Sequence, residues 1–282
     1  MTDLHAGASR FATCADREIH YTEWGNRAAP PLIMWHGLAR TGRDFDDIAR
    51  EFSDRYWVIC PDTLGRGMSQ WAIDATKEYC FAFYGRIAMA LVDHLGIDKM
   101  LWIGTSMGGL IGAKLASGEL KNRITKLVIN DIGPDIPVAA VDRIASYVGN
   151  PPVFGSIGEL ETWLRTVYAP FGDNPDSFWQ VMAETSYRRM DDGRVTVHYD
   201  PKIVSQFTEH GSDLDVWPAF DAVECPTLVL RGENSDVLPA AVAQEMTTRG
   251  PKPLLIELPG FGHAPTLHSP PEIAAITDFL TD

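Results

Sequence analysis

A rhythm of short apolar runs, alternating with stretches of helical period, restricts this chain more than any other feature. Residues 32–35, 57–60, 101–104, 126–130, 227–231 and 254–258 are rich in Leu, Ile and Val and are closed by turn residues. Runs of that length without polar alternation are strands buried on both faces. Arg17–Trp24 alternates instead, as a strand with one wetter face does. Between the runs, residues 84–95 place Ile87, Ala88, Leu91, Val92 and Leu95 at helical spacing. Residues 110–116 and 240–246 follow the same period, and Pro271 opens a closing helix through Ile273, Ile276, Phe279 and Leu280. Strands apolar on both faces and separated by helices imply an α/β fold, with a parallel sheet covered on both sides.

The rhythm breaks once. From Ile132 to Ala222 there is no convincing buried strand, and the stretch holds eight of the chain's 19 prolines. Aromatic-rich helical pieces occupy 160–168 and 177–187. An insertion into a finished sheet accounts for this pattern. It divides the chain into a core of residues 1–131 and 223–282, and a helical cap of residues 132–222.

The 282 residues carry 24 Lys and Arg against 38 Asp and Glu, a net charge of −14, and 45% are hydrophobic. The apolar share is that of a folded chain rather than a disordered one. The acidic balance lacks the basic face that nucleic acid or an anionic membrane demands. No run of about 18 apolar residues is present to span a bilayer. Thr2, Asp3 and His5 stand where a secretory leader would be basic and then apolar. The expectation is a cytoplasmic protein acting on a small molecule. The cysteines at 14, 60, 80 and 225 have neither CxxC spacing nor a His cluster, so reduced, buried thiols are expected, with no metal and no cofactor. The sequence does not distinguish monomer from homodimer.

The most specific motif is Gly104-Thr105-Ser106-Met107-Gly108-Gly109, set between a strand and a helix. A serine there occupies a strained turn that lifts its hydroxyl off the sheet, while flanking glycines let strand and helix close up. The helix start presents backbone N–H groups where an oxyanion would form. A serine nucleophile needs a base. His263, in the loop after the last strand, stands where such sheets place working residues. His5, His94, His198, His210 and His268 lack that placement, and His20 lies inside a strand. The base needs an orienting carboxylate. Asp236 and Asp131 both end strands; the order Ser, Asp, His with a late acid favours Asp236, with Asp131 as the alternative. Gly37 would bend the backbone after His36 so that the Leu38 N–H joins that of Met107 in an oxyanion hole.

Taken together, His36-Gly37, Asp62-Thr63-Leu64-Gly65-Arg66-Gly67-Met68-Ser69, the Ser106 motif, Gly232-Glu233-Asn234-Ser235-Asp236 and Gly262-His263 resemble the α/β-hydrolase family over nearly the whole chain. The resemblance implies an eight-stranded, mostly parallel sheet with a helical cap inserted after the sixth strand. It implies Ser106 as nucleophile, His263 as base and Asp236 as acid, although some members take the acid from the Asp131 position. Dehalogenases and epoxide hydrolases of the family need an aspartate where Ser106 stands, so acyl chemistry remains. The expected function is hydrolysis of a small carboxylic ester or related acyl compound through an acyl-enzyme. Hydrolysis of a C–C bond in a ring-fission product, enol-lactone hydrolysis, perhydrolase action and a non-catalytic sensor are the alternatives. In the cap, Arg143, Arg165, Arg188 and Arg189 could pair with a substrate carboxylate, and Tyr168 could line an acyl pocket.

Overall fold

A computed structural model describes residues 5–281; Thr2 and Asp3 lie outside the described residues. The strands are β1 (Ala8–Cys14), β2 (Arg17–Trp24), β3 (Pro31–Trp35), β4 (Trp57–Pro61), β5 (Met100–Thr105), β6 (Ile124–Asn130), β7 (Tyr187–Arg189), β8 (Val195–Val197), β9 (Thr227–Gly232) and β10 (Leu254–Leu258). Eight of them form one sheet in the order β1-β2-β4-β3-β5-β6-β9-β10. β1 and β2 are antiparallel to their neighbours. Every pairing from β4 to β10 is parallel. The helices are α1 (Asp46–Phe52), α2 (Ala75–Glu78), α3 (Phe81–His94), α4 (Met107–Ser117), α5 (Val138–Val148), α6 (Ile157–Val167), α7 (Asp176–Ser186), α8 (Ser205–Thr208), α9 (Trp217–Asp221), α10 (Ala240–Met246) and α11 (Pro270–Thr281).

Alternate residues of the central strands go to opposite cores, which is why these strands read as continuous apolar runs. Ile33, Trp35, Trp102, Leu127 and Ile129 pack with Ile87 and Leu91 of α3 and Leu110 and Ile111 of α4. Leu32, Met34, Ile103, Val128 and Leu230 pack on the other face with Ile48 and Phe52 of α1 and Ile276 and Leu280 of α11. On the first face Trp35 and Trp102 stack, with ring centroids 5.3 Å apart. The Trp102 indole N–H also donates to the Gly108 carbonyl, tying β5 to α4.

The edge strand β1 escaped the sequence reading because its buried side is carried only by Ala12 and Cys14, while Phe11 is exposed. Residues 132–222 lie between β6 and β9 and carry α5 to α9. They are not all helical, since β7 and β8 pair as a small antiparallel ribbon. The tyrosine at the end of the expected 177–187 helix opens β7 instead. Core and insertion are joined through hydrogen bonds from Tyr79 Oη to Asp200, from the Gly67 N–H to the His198 carbonyl, and from the Gly262 N–H to the Pro170 carbonyl.

The close packing of α4 on β5 and on the end of β3 leaves no room for side chains at two glycines. A Cβ on Gly104 would lie 2.2 Å from the Gly108 carbonyl oxygen, and one on Gly108 would lie 2.0 Å from the Trp35 carbonyl oxygen. Both obstacles are backbone, so strand or helix would have to move. Gly108→Ala is therefore expected to cost at least about 3 kcal/mol, the upper end for overpacking, and to lower Tm by roughly 6–12 °C in a thermal melt. A melt within 2 °C of wild type, on the same scale, would show that the packing gives way freely.

Candidate active site

Ser106 sits between the last residue of β5 and the first of α4, with φ 52° and ψ −118°. Such a conformation costs a non-glycine residue about 1–3 kcal/mol. It is held by a 2.8 Å hydrogen bond from the Ser106 N–H to the Asn130 carbonyl and by the helix bonds that the Ser106 carbonyl accepts from Gly109 and Leu110. The glycines of the motif serve the close approach described above.

The Ser106 hydroxyl donates to Nε2 of His263 over 3.0 Å. On the other side of the ring, Nδ1–H donates to Oδ2 of Asp131 over 2.8 Å. The two partners together define the neutral tautomer that a base requires. Asp131 is completely buried, and its carboxylate also takes the Gly232 N–H at 2.7 Å and the Ser235 hydroxyl at 2.6 Å.

The preference for Asp236 is thereby corrected. Its carboxylate turns away to a bidentate pair with Arg143, at 2.8 and 2.9 Å, and its side chain is 45% exposed. The reason lies in the neighbouring backbone. Asp131 leaves β6 in a left-handed turn (φ 56°), with its N–H bonded to the Leu230 carbonyl of β9, which fixes it beside the strand that carries Ser106. The Gly232–Asp236 loop contributes a backbone N–H and the Ser235 hydroxyl to Asp131 rather than a carboxylate of its own to His263.

Among the described residues, no acceptor takes the backbone N–H of Leu38 or of Met107. Gly37 lies against Ser106; a Cβ there would be 3.6 Å from Ser106 Cβ. The loop carrying Leu38 is framed by two buried groups. Nδ1–H of His36 donates to the Gly37 carbonyl at 2.6 Å, and Nε2 accepts the Thr63 N–H at 2.9 Å. Arg66, fully buried, donates to the Leu38 and Leu64 carbonyls at 2.8 and 2.7 Å and to Tyr84 Oη at 2.8 Å. This task of Arg66 was not foreseen from the sequence, where the available signal is an arginine set between two glycines.

A cavity of about 50 Å³ opens beside Ser106, walled by Leu38, Arg143, Tyr147, Tyr168, Phe171 and His263. Tyr168 is thus placed at the site, under the Arg40 guanidinium at 5.1 Å. Arg165 is not on this wall; it pairs with Glu161 and Asp176. Nor is Arg188, which rests over the Trp71 ring. Arg189 donates to the Gly193 carbonyl. Arg40 was missed. It is buried, pairs with Asp44, donates to Ser186 in the cap and lies on the cavity wall.

A second Ser–His–Asp chain, Ser9–His20–Asp62, has contacts of 2.7 and 2.8 Å. Its geometry serves a loop. Asp62 also takes the N–H groups of Gly42 and Met68, and Ser9 lies within an edge strand instead of at a strand–helix turn. Among the described residues, no group of three or more His, Cys, Asp or Glu side chains is arranged to hold a metal. No helix among them is long and apolar enough to cross a membrane.

Residues 30–149 match the family model for the alpha/beta hydrolase fold. A 3-hydroxybutyrate-oligomer hydrolase of Cupriavidus necator is 39% identical over 271 residues, covering 93% of this chain and 92% of its own. The chain belongs to the α/β-hydrolase family. A crystal structure of an α/β hydrolase from Novosphingobium aromaticivorans, 36% identical, superposes with a TM-score of 0.88 and covers 98% of each chain. An X-ray structure of a putative hydrolase from Rickettsia typhi, 27% identical, gives 0.89 and covers 98% of this chain and 99% of its own. The likeness of this hydrolase to such relatives extends over 93–98% of its chain.

Two measurements test the site. Asp131→Asn should reduce kcat about 10⁴-fold, as loss of the orienting carboxylate does elsewhere, whereas Asp236→Asn should change it by less than about tenfold. Equal losses would return the acid to the Asp236 loop. The second concerns His36, whose pKa burial pushes down from 6.5 to about 4. Below the ordinary value the unfolded ring takes a proton that the folded ring refuses. Its contribution to stability is therefore complete above pH 6.5 and is lost as pH falls towards 4, by about 3 kcal/mol. Urea unfolding at pH 7 and pH 4 should show this loss in wild type and a correspondingly smaller one in His36→Gln; identical pH dependence would contradict it.

Proposed function

We propose that this hydrolase cleaves carboxylic esters through an acyl-enzyme on Ser106, and that its substrates are short linear esters of a hydroxy acid ending in a free carboxylate. The observation that carries the chemistry is the unbroken chain Ser106–His263–Asp131 beside two unengaged N–H groups. Ser106 Oγ attacks the ester carbonyl as Nε2 of His263 takes its proton. Asp131, held by Gly232 and Ser235, orients the ring and stabilises its cationic form. The oxygen of the tetrahedral intermediate lies between the Leu38 and Met107 N–H groups, each such donor contributing roughly 10²–10³ in rate. The imidazolium then protonates the leaving alkoxide, and the same ring activates the water that releases the acid. Ser106 at the elbow supports acyl transfer and not the aspartyl-ester chemistry of dehalogenases. The substrate class is supported by the relative named for 3-hydroxybutyrate oligomers, which is similar over almost all of both chains.

The experiment is a kcat/KM panel of 3-hydroxybutyrate dimer and trimer, p-nitrophenyl butyrate, an enol-lactone and a ring-fission dienoate. The hydroxy-acid oligomers and the activated ester should be hydrolysed. Ser106→Ala should lower both rates at least about 10⁴-fold and abolish labelling by a phosphonate probe. Turnover of the dienoate alone would replace ester cleavage by C–C hydrolysis, and persistent labelling would remove Ser106 from the nucleophile's place.

A further inference from the structure

The space beside Ser106 is too small for an oligomer. At about 50 Å³ it has room for a few waters, or one short acyl unit. It shares walls with two other cavities. Arg40, Thr105, Phe171 and Ala264 line both the serine cavity and a second of about 290 Å³. Arg43, Asp46 and Thr185 line both that second cavity and a third of about 650 Å³. The chambers differ in chemistry. The second presents Phe171, Pro175, Phe178, Val181 and Met182 from the cap against Pro265 of the core. The third is mixed, with a larger polar share than the second, and contains Arg188.

Arg188 and Arg189 are the arginines on the third cavity's wall without a carboxylate partner among the described residues; Arg189 is exposed and donates to the Gly193 carbonyl, and Arg188 is half-buried. Arg143 is closed by Asp236, Arg40 by Asp44, Arg43 by Asp46 and Arg165 by Glu161 and Asp176. The Arg188 Nε is buried without a hydrogen-bond partner, and among the described residues no carboxylate lies within ion-pair distance of its guanidinium. Its Cζ lies 5.3 Å from the Trp71 ring, and its charge is felt by His198 on the same wall. The carboxylates on the third cavity's wall include Asp46, paired with Arg43, and Asp62, paired with His20. Glu184, also there, is exposed, where solvent and salt screen its repulsion.

We infer that the three cavities form one trough, in which the leaving part of an oligoester lies along the apolar chamber and places its terminal carboxylate on Arg188. This rests on the ester-hydrolase reading above. The acyl unit at the hydroxyl end of the chain occupies the cavity beside Ser106. Attack forms the Ser106 Oγ–acyl bond and breaks the ester C–O bond. The departing alkoxide takes the proton from His263 and leaves as a shorter oligomer with a new hydroxyl at one end and the original carboxylate at the other. Water then frees the acyl unit. Each turnover thus removes one unit from the hydroxyl end, and preference for length is set by how well the leaving chain spans the distance to Arg188. A half-buried guanidinium with no carboxylate partner is suited to this task, since a carboxylate gains charge-assisted bonds there without displacing an internal partner.

The test compares kcat/KM for 3-hydroxybutyrate dimer, trimer and tetramer, each as free acid and as terminal methyl ester, with p-nitrophenyl butyrate as reference. In wild type, kcat/KM should rise from dimer to tetramer, and methyl capping should lower the tetramer value about 10–100-fold, as loss of a charge-assisted bond does. Arg188→Gln should bring the free tetramer down to the capped value and lower the capped one little further. Equal reductions of both, or none, would overturn the role of Arg188. Thr185→Trp, which narrows the wall common to the second and third cavities, supplies a check independent of the Arg188 variant's folding. It should lower the tetramer-to-dimer ratio at least tenfold, and an unchanged ratio would overturn the trough. Wild type active on the activated ester but on no oligomer would remove the substrate class itself, and the trough with it. Oligomer hydrolysis indifferent to capping would remove the trough alone.

Discussion

The site depends on a serine held in a left-handed turn between a strand and a helix. Ser106 keeps φ 52° because both its neighbours are anchored: β5 is locked between β3 and β6, and α4 is pressed onto the sheet through Gly104 and Gly108. Strain of this kind persists only where the surroundings over-determine it. The surroundings here are the two cores, one on each face of the sheet, with the stacked Trp35 and Trp102 in one of them and Trp102 bonded to the Gly108 carbonyl. A looser crossing would let the serine relax into ordinary strand or helix geometry, and its hydroxyl would drop out of reach of His263.

The same turn was legible in the sequence because it demands particular residues. Only glycine tolerates a carbonyl 2.0–2.2 Å from where its Cβ would be, so Gly104 and Gly108 announce the crossing before any coordinates do. The central strands were legible for a related reason: a strand buried on two faces is mostly apolar, and polar residues such as Asn130 and Arg231 sit there only with hydrogen-bond partners. The edge strand β1, buried through two small side chains, and the three-residue strands of the insertion make no such demand. Their existence is decided by what they pair with, a tertiary fact absent from the local pattern.

The acid was misread for the same physical reason. Asp131 and Asp236 both end parallel strands, and proximity in a sheet with spacing of about 5 Å does not separate them. What does separate them is which side chain finds buried donors. The loop after β9 supplies Gly232 N–H and Ser235 Oγ–H, both pointing to Asp131, and leaves Asp236 to the solvent side, where Arg143 of the cap takes it. The loop motif thus lies against Asp131, which it holds through Gly232 and Ser235. Its donors, rather than its carboxylate, are what the site uses.

That rearrangement has an electrostatic consequence for a protein of net charge −14. An acidic body repels an anionic ligand at long range, and most arginines around the cleft cannot offset this, because each already has a carboxylate at hydrogen-bond distance. The cleft is consequently not a general funnel for anions, which would need a surplus of unpaired positive charge. Discrimination among esters must then come from short-range geometry. A ligand gains from the cleft only if its polar end reaches a donor without an internal partner, while its apolar length fills the chamber under α7. On the proposed substrate, charge and length are then satisfied by the same molecule.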